Sequence, residues 1–187
     1  MVRSFIAIEV PEAIRNQIFE SFDQVRRKTS GIKWVEPAQM HLTLQFLGEA
    51  EESLIEEEVI PRMSEATAGE AAFQLHVTGV GLFPSVHKPR IFWVGMEGDS
   101  VRLKRIQSKV EKCLAGLPLH QDKKEFHAHL TLGRIKVPNS IGLWHKILEE
   151  YEKIDFGSFA VESLILFKSE LTSSGPVYTR LKEFKLK

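Results

Sequence analysis

The chain predicts an α+β fold of two similar lobes related by a pseudo-two-fold axis. Three observations carry this. Strand-like and helix-like stretches alternate along all 187 residues. Their order repeats: strand, helix, strand, helix, strand in the first half, then the same again from Arg90. The tetrapeptide His-Leu-Thr-Leu occurs twice, at His41–Leu44 and at His129–Leu132. The register agrees, because Phe5 precedes His41 by 36 residues and Phe92 precedes His129 by 37. The two histidines stand 88 residues apart, close to half the chain. A period this long points to a duplicated unit, not to a short-repeat solenoid.

The elements follow in order. Arg3 to Val10 is rich in β-formers and is stopped by Pro11, so it reads as a strand. Pro11 opens a helix with Glu12 in its first turn; Ile14, Ile18, Phe22 and Val25 stand at helical spacing, and Arg26, Arg27 and Lys28 form a basic C-terminal end. Gly31 and Pro37 bracket an irregular stretch around Trp34. The first His-Leu-Thr-Leu strand ends at Gly48. A helix follows from about Glu52, with a solvated acidic face, and Pro61 should kink or break it.

Phe73 to Val80 is a strand, "GLFPSVHKP" is turn-rich, and "RIFWVGM" is again a strand. The next helix, "SVRLKRIQSKVEKCLAGL", has Ser100 as its cap. "HAHLTLGRIKV" is a strand and "NSIGLWHKILEEYEK" a helix. The tail from Phe159 reads as two strands around a Ser-Gly-Pro turn.

Bulk composition narrows the functions. The 25 basic and 25 acidic side chains cancel, so no global positive field exists for long nucleic acid, and an anionic ligand must meet a local cluster. Cys113 is the single cysteine, which rules out an intramolecular disulfide and fits a reducing cytosol; it reads as a small buried hydrophobe. The N-terminus has neither a secretory signal nor a membrane span. The expectation is a cytoplasmic protein.

The repeated tetrapeptide can carry chemistry. Strand side chains alternate between faces, so Leu42 and Leu44 can enter a core while His41 and Thr43 point together from the other face. Leu130 and Leu132, against His129 and Thr131, repeat the pattern. Two facing strands would present two imidazoles and two hydroxyls to one cleft. Histidine titrates near neutral pH, so one ring can accept a proton while the other donates. Threonine hydroxyls can hold non-bridging phosphate oxygens. The set suits in-line attack on a phosphate ester, which needs a base, an acid and donors for developing charge. Arg134, five residues after His129, could add a charge-assisted contact. Its odd offset requires a bulge or twist at Gly133; otherwise Arg134 ends the strand in solvent.

A lone His-x-Thr carries no weight, since 7 histidines give roughly one His-x-Ser/Thr by chance at ordinary composition. A third, His76-Val77-Thr78, lies on a strand, but the position 88 residues on is Leu164, with no histidine or threonine beside it. It reads as a half-exposed strand residue. His127 with His129 makes His-x-His, but no further ligand at a recognisable spacing supports zinc. His127 belongs at the pocket edge, and His87, His120 and His145 on the surface. No phosphate-binding glycine loop is present.

"MHLTLQFLGE" and "AHLTLGRIK" resemble the paired His-x-Thr motifs of the two-histidine (2H) phosphoesterases. "RSFIAIEVPEAI", "GIKWVEPAQMHLTLQFLGE", "GVGLFPSVHKPRIFWVG" and "LFKSELTSSGPVYTRLKEF" look like the branch of RNA 2′,3′-cyclic phosphodiesterases, historically named 2′-5′ RNA ligases. The resemblance covers essentially the whole chain. It implies a bilobal fold with antiparallel sheets lining a central cleft and helices packed outside. Residues 1–187 would form a single cyclic phosphodiesterase domain made of two interleaved, duplicated lobes.

The resemblance also implies metal-independent, cofactor-free hydrolysis of a terminal 2′,3′-cyclic phosphate to a 2′-phosphomonoester. By motif, His41 and His129 would be the acid–base pair, and Thr43, Thr131 and Arg134 would hold phosphate. The partners are RNA ends or nucleotides bearing the cyclic phosphate, with no membrane, no obligate protein partner and a monomeric state. Run in reverse, the reaction would join a 5′-hydroxyl to the cyclic phosphate. The sequence does not assign acid and base between the histidines. Two other readings stand beside this one: a non-catalytic RNA-end or nucleotide-binding module on the same fold, and a diesterase for another substrate.

Overall fold

The computed structural model describes residues 1–120, 125–137, 139–173 and 175–187. Nine strands form two antiparallel sheets among these residues. A four-stranded sheet has the order β3-β1-β8-β9, built from β1 (Val2–Glu9), β3 (His41–Ala50), β8 (Ser163–Thr172) and β9 (Gly175–Lys185). A five-stranded sheet has the order β2-β6-β5-β4-β7, built from β2 (Ile32–Trp34), β4 (Phe73–Phe83), β5 (Ile91–Gly98), β6 (His129–Ile135) and β7 (Asp155–Val161).

Each sheet takes strands from both halves of the chain. β8 pairs with β1, setting Phe5 opposite Phe167, and β4 pairs with β5, setting Leu82 opposite Phe92. The helices cross over too. α1 (Glu12–Ser21) packs near β7, and α5 (Ser100–Cys113) packs on β3. At the junction of the sheets, Cα atoms of β3 and β6 approach within 8 Å. This brings the two repeated tetrapeptides side by side.

The alternation in β1 explains its central place. Ile6 and Ile8 turn to the main core, while Phe5 and Ala7 turn to the opposite face with Ile165 and Phe167. Both faces are therefore largely buried, one against each cluster. In α1 and α2 (Asp23–Lys28), which meet at Phe22, the stripe Ile18, Phe22 and Val25 is buried as the helical spacing predicts.

Several local expectations change. Pro61 does not end its helix: α3 (Glu52–Leu54) runs through a π-helical turn, Ile55–Val59, into α4 (Ile60–Thr67). Proline lacks the N–H for the regular ladder, and the widened turn lies directly before it. Asp99, not Ser100, caps α5, its carboxylate accepting from the Arg102 amide at 3.0 Å. β4 continues past Val80 to Phe83 and absorbs part of the expected turn. Trp34 lies on a short strand, β2, not in irregular chain. The tail contains a further strand, β7, because the chain changes sheets at Glu162. α6 (Ile141–Glu150) is capped by Ser140. Cys113 is half-buried, its sulfur 3.7 Å from that of Met63.

Candidate active site

Leu42 and Leu44 are buried, as are Leu130 and Leu132, while His41, Thr43, His129 and Thr131 open on one cleft of about 470 Å³. The period-two pattern therefore delivers both His-Thr pairs to the same space.

Each strand then breaks its own alternation. In β3, Ala7 pairs with Thr43 and Ile6 with Gln45, leaving Leu44 as an extra residue. In β6, Trp93 pairs with Thr131 and Phe92 with Gly133, leaving Leu132 extra. The bulges shift the phase by one residue, so the side chains five places after each histidine, Phe46 and Arg134, also line the cleft. The bulge that Arg134 needs is therefore present. Gly133 has its own reason to be glycine: a Cβ there would lie 2.6 Å from Cγ2 of Ile32 on the adjoining strand.

The two imidazoles are held alike. His41 Nδ1 lies 2.8 Å from the carbonyl oxygen of Gln39, and His129 Nδ1 lies 2.7 Å from that of His127. A carbonyl can only accept, so each Nδ1 carries the proton, and in the neutral ring the lone pair sits on Nε2. His41 stacks on Phe5 at 4.6 Å, with Tyr178 edge-on at 5.1 Å. His129 meets Phe83 edge-on at 5.0 Å.

These walls set the titration. Burial pushes the pKa of His41 down to about 4; the Gln39 carbonyl opposes this, and the nearby charges of Arg134 and His129 add to it. His129 is lowered also, first by burial, against the His127 carbonyl and together with charge from His127 and Arg134. Burial raises the Tyr178 phenol, which keeps it a neutral donor beside His41. The free protein thus holds both imidazoles neutral at pH 7. An entering anion restores affinity for a proton.

The lining also holds residues without a motif to announce them. Among the described lining residues there are four cations, Arg3, Lys33, Arg134 and Lys136, and no carboxylate. The net-neutral chain therefore carries a local positive cleft. The Gln39 side-chain amide donates to the Pro176 carbonyl at 2.9 Å and ties the β8–β9 hairpin beside His41. Lys136 was findable, standing two residues after Arg134 just past the end of β6; Tyr178 and Gln39 had no local signal. Among the described residues no group of three or more His, Cys, Asp or Glu side chains converges so as to hold a metal ion.

Other histidines fall outside. His76 lies on β4 beside β7, its Nδ1 2.9 Å from Ser158 Oγ and its Nε2 3.2 Å from Asp155. His127 gives its carbonyl to His129, and its exposed ring rests 5.6 Å from Phe83. Of the aromatics, Phe92 is core and Phe5 lies beneath His41, while Trp34 and Phe46 line the cleft. No helix of the described residues is long and apolar enough to cross a membrane.

Comparison with known proteins follows the same lines. The chain is 36% identical to an RNA 2′,3′-cyclic phosphodiesterase of Archaeoglobus fulgidus, over 98% of this chain and 100% of that one. It is 34% identical to a protein of that name from Aquifex aeolicus, over 100% and 98%. A crystal structure from Thermus thermophilus superimposes with a TM-score of 0.81 at 31% identity, over 98% of this chain and 97% of that one. E. coli LigT complexed with 3′-AMP shares the fold, with a TM-score of 0.79 at 24% identity over 100% and 98%. The model of the LigT-like phosphoesterases matches twice in succession, over residues 8–93 and 94–178. With both halves matched and full-length relatives above 30% identity, the chain belongs to the LigT-like phosphoesterase family of the two-histidine superfamily.

Proposed function

We propose that this protein is an RNA 2′,3′-cyclic phosphodiesterase that opens a terminal cyclic phosphate to a 2′-phosphomonoester by histidine acid–base catalysis. One observation carries the reading: two imidazoles line one cleft, each with Nδ1 bound to a carbonyl two residues back and Nε2 left to exchange a proton. The relatives named for this activity, matched over their whole length, support the same reading.

The cyclic phosphate sits between the threonines. Among the described residues, neither Thr43 nor Thr131 has its hydroxyl engaged by another protein group. Each can donate to a non-bridging oxygen, and the Arg134 guanidinium neutralises the same group. The anion raises both histidine pKa values, and the pair takes up one proton. His129 holds it and serves as acid. His41 stays neutral and serves as base. It takes a proton from water, water oxygen bonds to phosphorus, and the bond to the 3′ oxygen breaks as His129 protonates that oxygen. The reverse sequence, with a 5′-hydroxyl in place of water, makes a 2′-5′ linkage. The whole chain works as one domain of two interleaved, duplicated lobes, a reading supported by the paired family matches and by the strands that cross between sheets.

The test is an assay on RNA oligomers and mononucleotides ending in 2′,3′-cyclic phosphate, with the product isomer identified. A 2′-phosphate is expected. Tight binding with no turnover at any pH would make the protein a binding module, and a 3′-phosphate would overturn the assignment of the 3′ oxygen as leaving group.

A further inference from the structure

Lys33 and Lys136 extend the positive charge of the cleft beyond what one cyclic phosphate uses. Lys33 pairs directly across from Arg134 between β2 and β6. Lys136 follows two places after Arg134, one residue past the end of β6, and lines the same cleft. All three are exposed at the cleft. Among the described residues none of the three has a carboxylate partner; the ion pairs found among those residues lie elsewhere, at Glu9, Asp23, Glu58, Glu70, Asp99, Asp155 and Glu170. Like charges placed directly opposite across two strands repel and cost stability. An anion lying between them relieves that cost.

The platform beneath is built, not loose. The amides of Lys136 and Val137 both donate to the Gly31 carbonyl, at 2.7 and 3.2 Å. Ser30 and Asn139 exchange two hydrogen bonds, at 3.2 and 3.0 Å. Gly31 has φ 66, and a Cβ on it would lie 2.5 Å from that of Val137. Two staples and one obligatory glycine thus fix the ends of the strands that carry the lysines.

The opposite wall differs. There Phe46 holds the place that Arg134 holds in β6, and the Arg3 guanidinium is spent over its ring at 4.9 Å. The cleft is therefore asymmetric, with the cations that lack a partner gathered on one side. Lys136 stands two residues beyond Arg134, one past the end of β6, so its Cα lies at most about 7 Å from that of Arg134, the order of separation that one ribose puts between neighbouring phosphates.

We propose that Lys33 and Lys136 form a second phosphate subsite, which binds the phosphodiester one nucleotide upstream of the cyclic phosphate. The enzyme therefore acts on the ends of RNA chains in preference to cyclic mononucleotides. This rests on the phosphodiesterase reading and adds a substrate class to it. Lysine suits this role, because its compact charge on a flexible stem follows a phosphodiester without fixing the base.

The experiment compares kcat/KM on three substrates: a cyclic mononucleotide, a dinucleotide ending in the cyclic phosphate, and the same dinucleotide with an uncharged methylphosphonate linkage. The wild type should prefer the charged dinucleotide over the other two by about tenfold, mostly through KM, as one charge-assisted contact would give. In Lys33→Ala/Lys136→Ala the loss on the charged dinucleotide should exceed the loss on the mononucleotide at least fivefold, and Lys33→Arg/Lys136→Arg should keep the preference. The salt dependence of the charged dinucleotide should fall by about 0.7 in log–log slope in the alanine variant, the value for one phosphate of a single strand. Equal use of all three substrates by the wild type, or equal losses in the variant, overturns the subsite while leaving the phosphodiesterase intact. No turnover of any of the three overturns the parent reading and the subsite with it.

Discussion

Phe46 occupies in β3 the position that Arg134 occupies in β6: fifth after the histidine and turned into the cleft by a bulge. The two halves thus supply matched imidazoles but unmatched neighbours. Arg134 should accordingly act on both histidines and on the phosphate. Arg134→Met should lower kcat/KM by about 10²-fold, within the range of losing a preorganised donor, and Arg134→Lys should restore it only in part, since the planar fork is lost. Arg134 also holds both histidine pKa values down. The Arg134→Met rate profile should therefore move to higher pH, and a profile that stays in place would remove the arginine from the site's electrostatics.

The wild-type profile of kcat/KM should be bell-shaped and acid-shifted. The base works when neutral, so the acid limb should follow His41, near pH 4. The acid works when protonated, so the alkaline limb should follow His129, below the ordinary histidine value. The kcat profile should lie at higher pH, because bound phosphate raises both groups. A rate that does not vary between pH 3 and 8 would contradict this assignment.

His41→Ala and His129→Ala should each cost about 10²–10⁴ in rate. The double variant should be little worse than either single one, because the groups act as a unit. Losses that multiply would mean the two histidines work in separate steps.

Folding linkage gives an independent reading of His41. Its folded pKa lies below the unfolded value, so the unfolded chain binds the extra proton between about pH 4 and 6.5. Stability should rise with pH through that window. Denaturant titrations should show a shallower rise in His41→Gln than in wild type, and identical slopes would place His41 in an ordinary solvated setting.

Gly81→Ala should damage the site from below. A Cβ there would fall 2.0 Å from Cζ2 of Trp93, whose ring lies 6.3 Å from that of His129. Thermal melts should report a loss of about 1–3 kcal/mol, as for overpacked interiors, and activity should fall with it. An alanine variant with unchanged Tm and rate would show that Trp93 moves aside freely.

What the sequence disclosed depended on how far apart the cooperating residues lie. The face of His41 and Thr43 follows from local alternation, and its pairing with His129 and Thr131 from repetition, so both were legible. The position of Arg134 was legible as a condition, a bulge at Gly133, which the pairing of β5 and β6 meets. Tyr178 reaches His41 from a strand far along the chain, and Lys33 meets Arg134 across a sheet edge; no nearby pattern encodes either. The split of the tail into β7 and β8 was hidden for a similar reason, since leaving one sheet for another changes partners without interrupting the run of β-formers. The cap at Asp99 was a choice between two adjacent good capping residues, which propensity does not separate.

The insertion of β8 beside β1 ties the start of the chain to its final quarter. Residues 4–7 find their second neighbour at 165–168, and His41 waits for Tyr178. A nascent chain still on the ribosome, lacking those last strands, holds its first histidine against an unfinished wall. The wall around the first histidine is thus assembled only once β8 and β9 have joined β1, long after the histidine itself has been added to the chain.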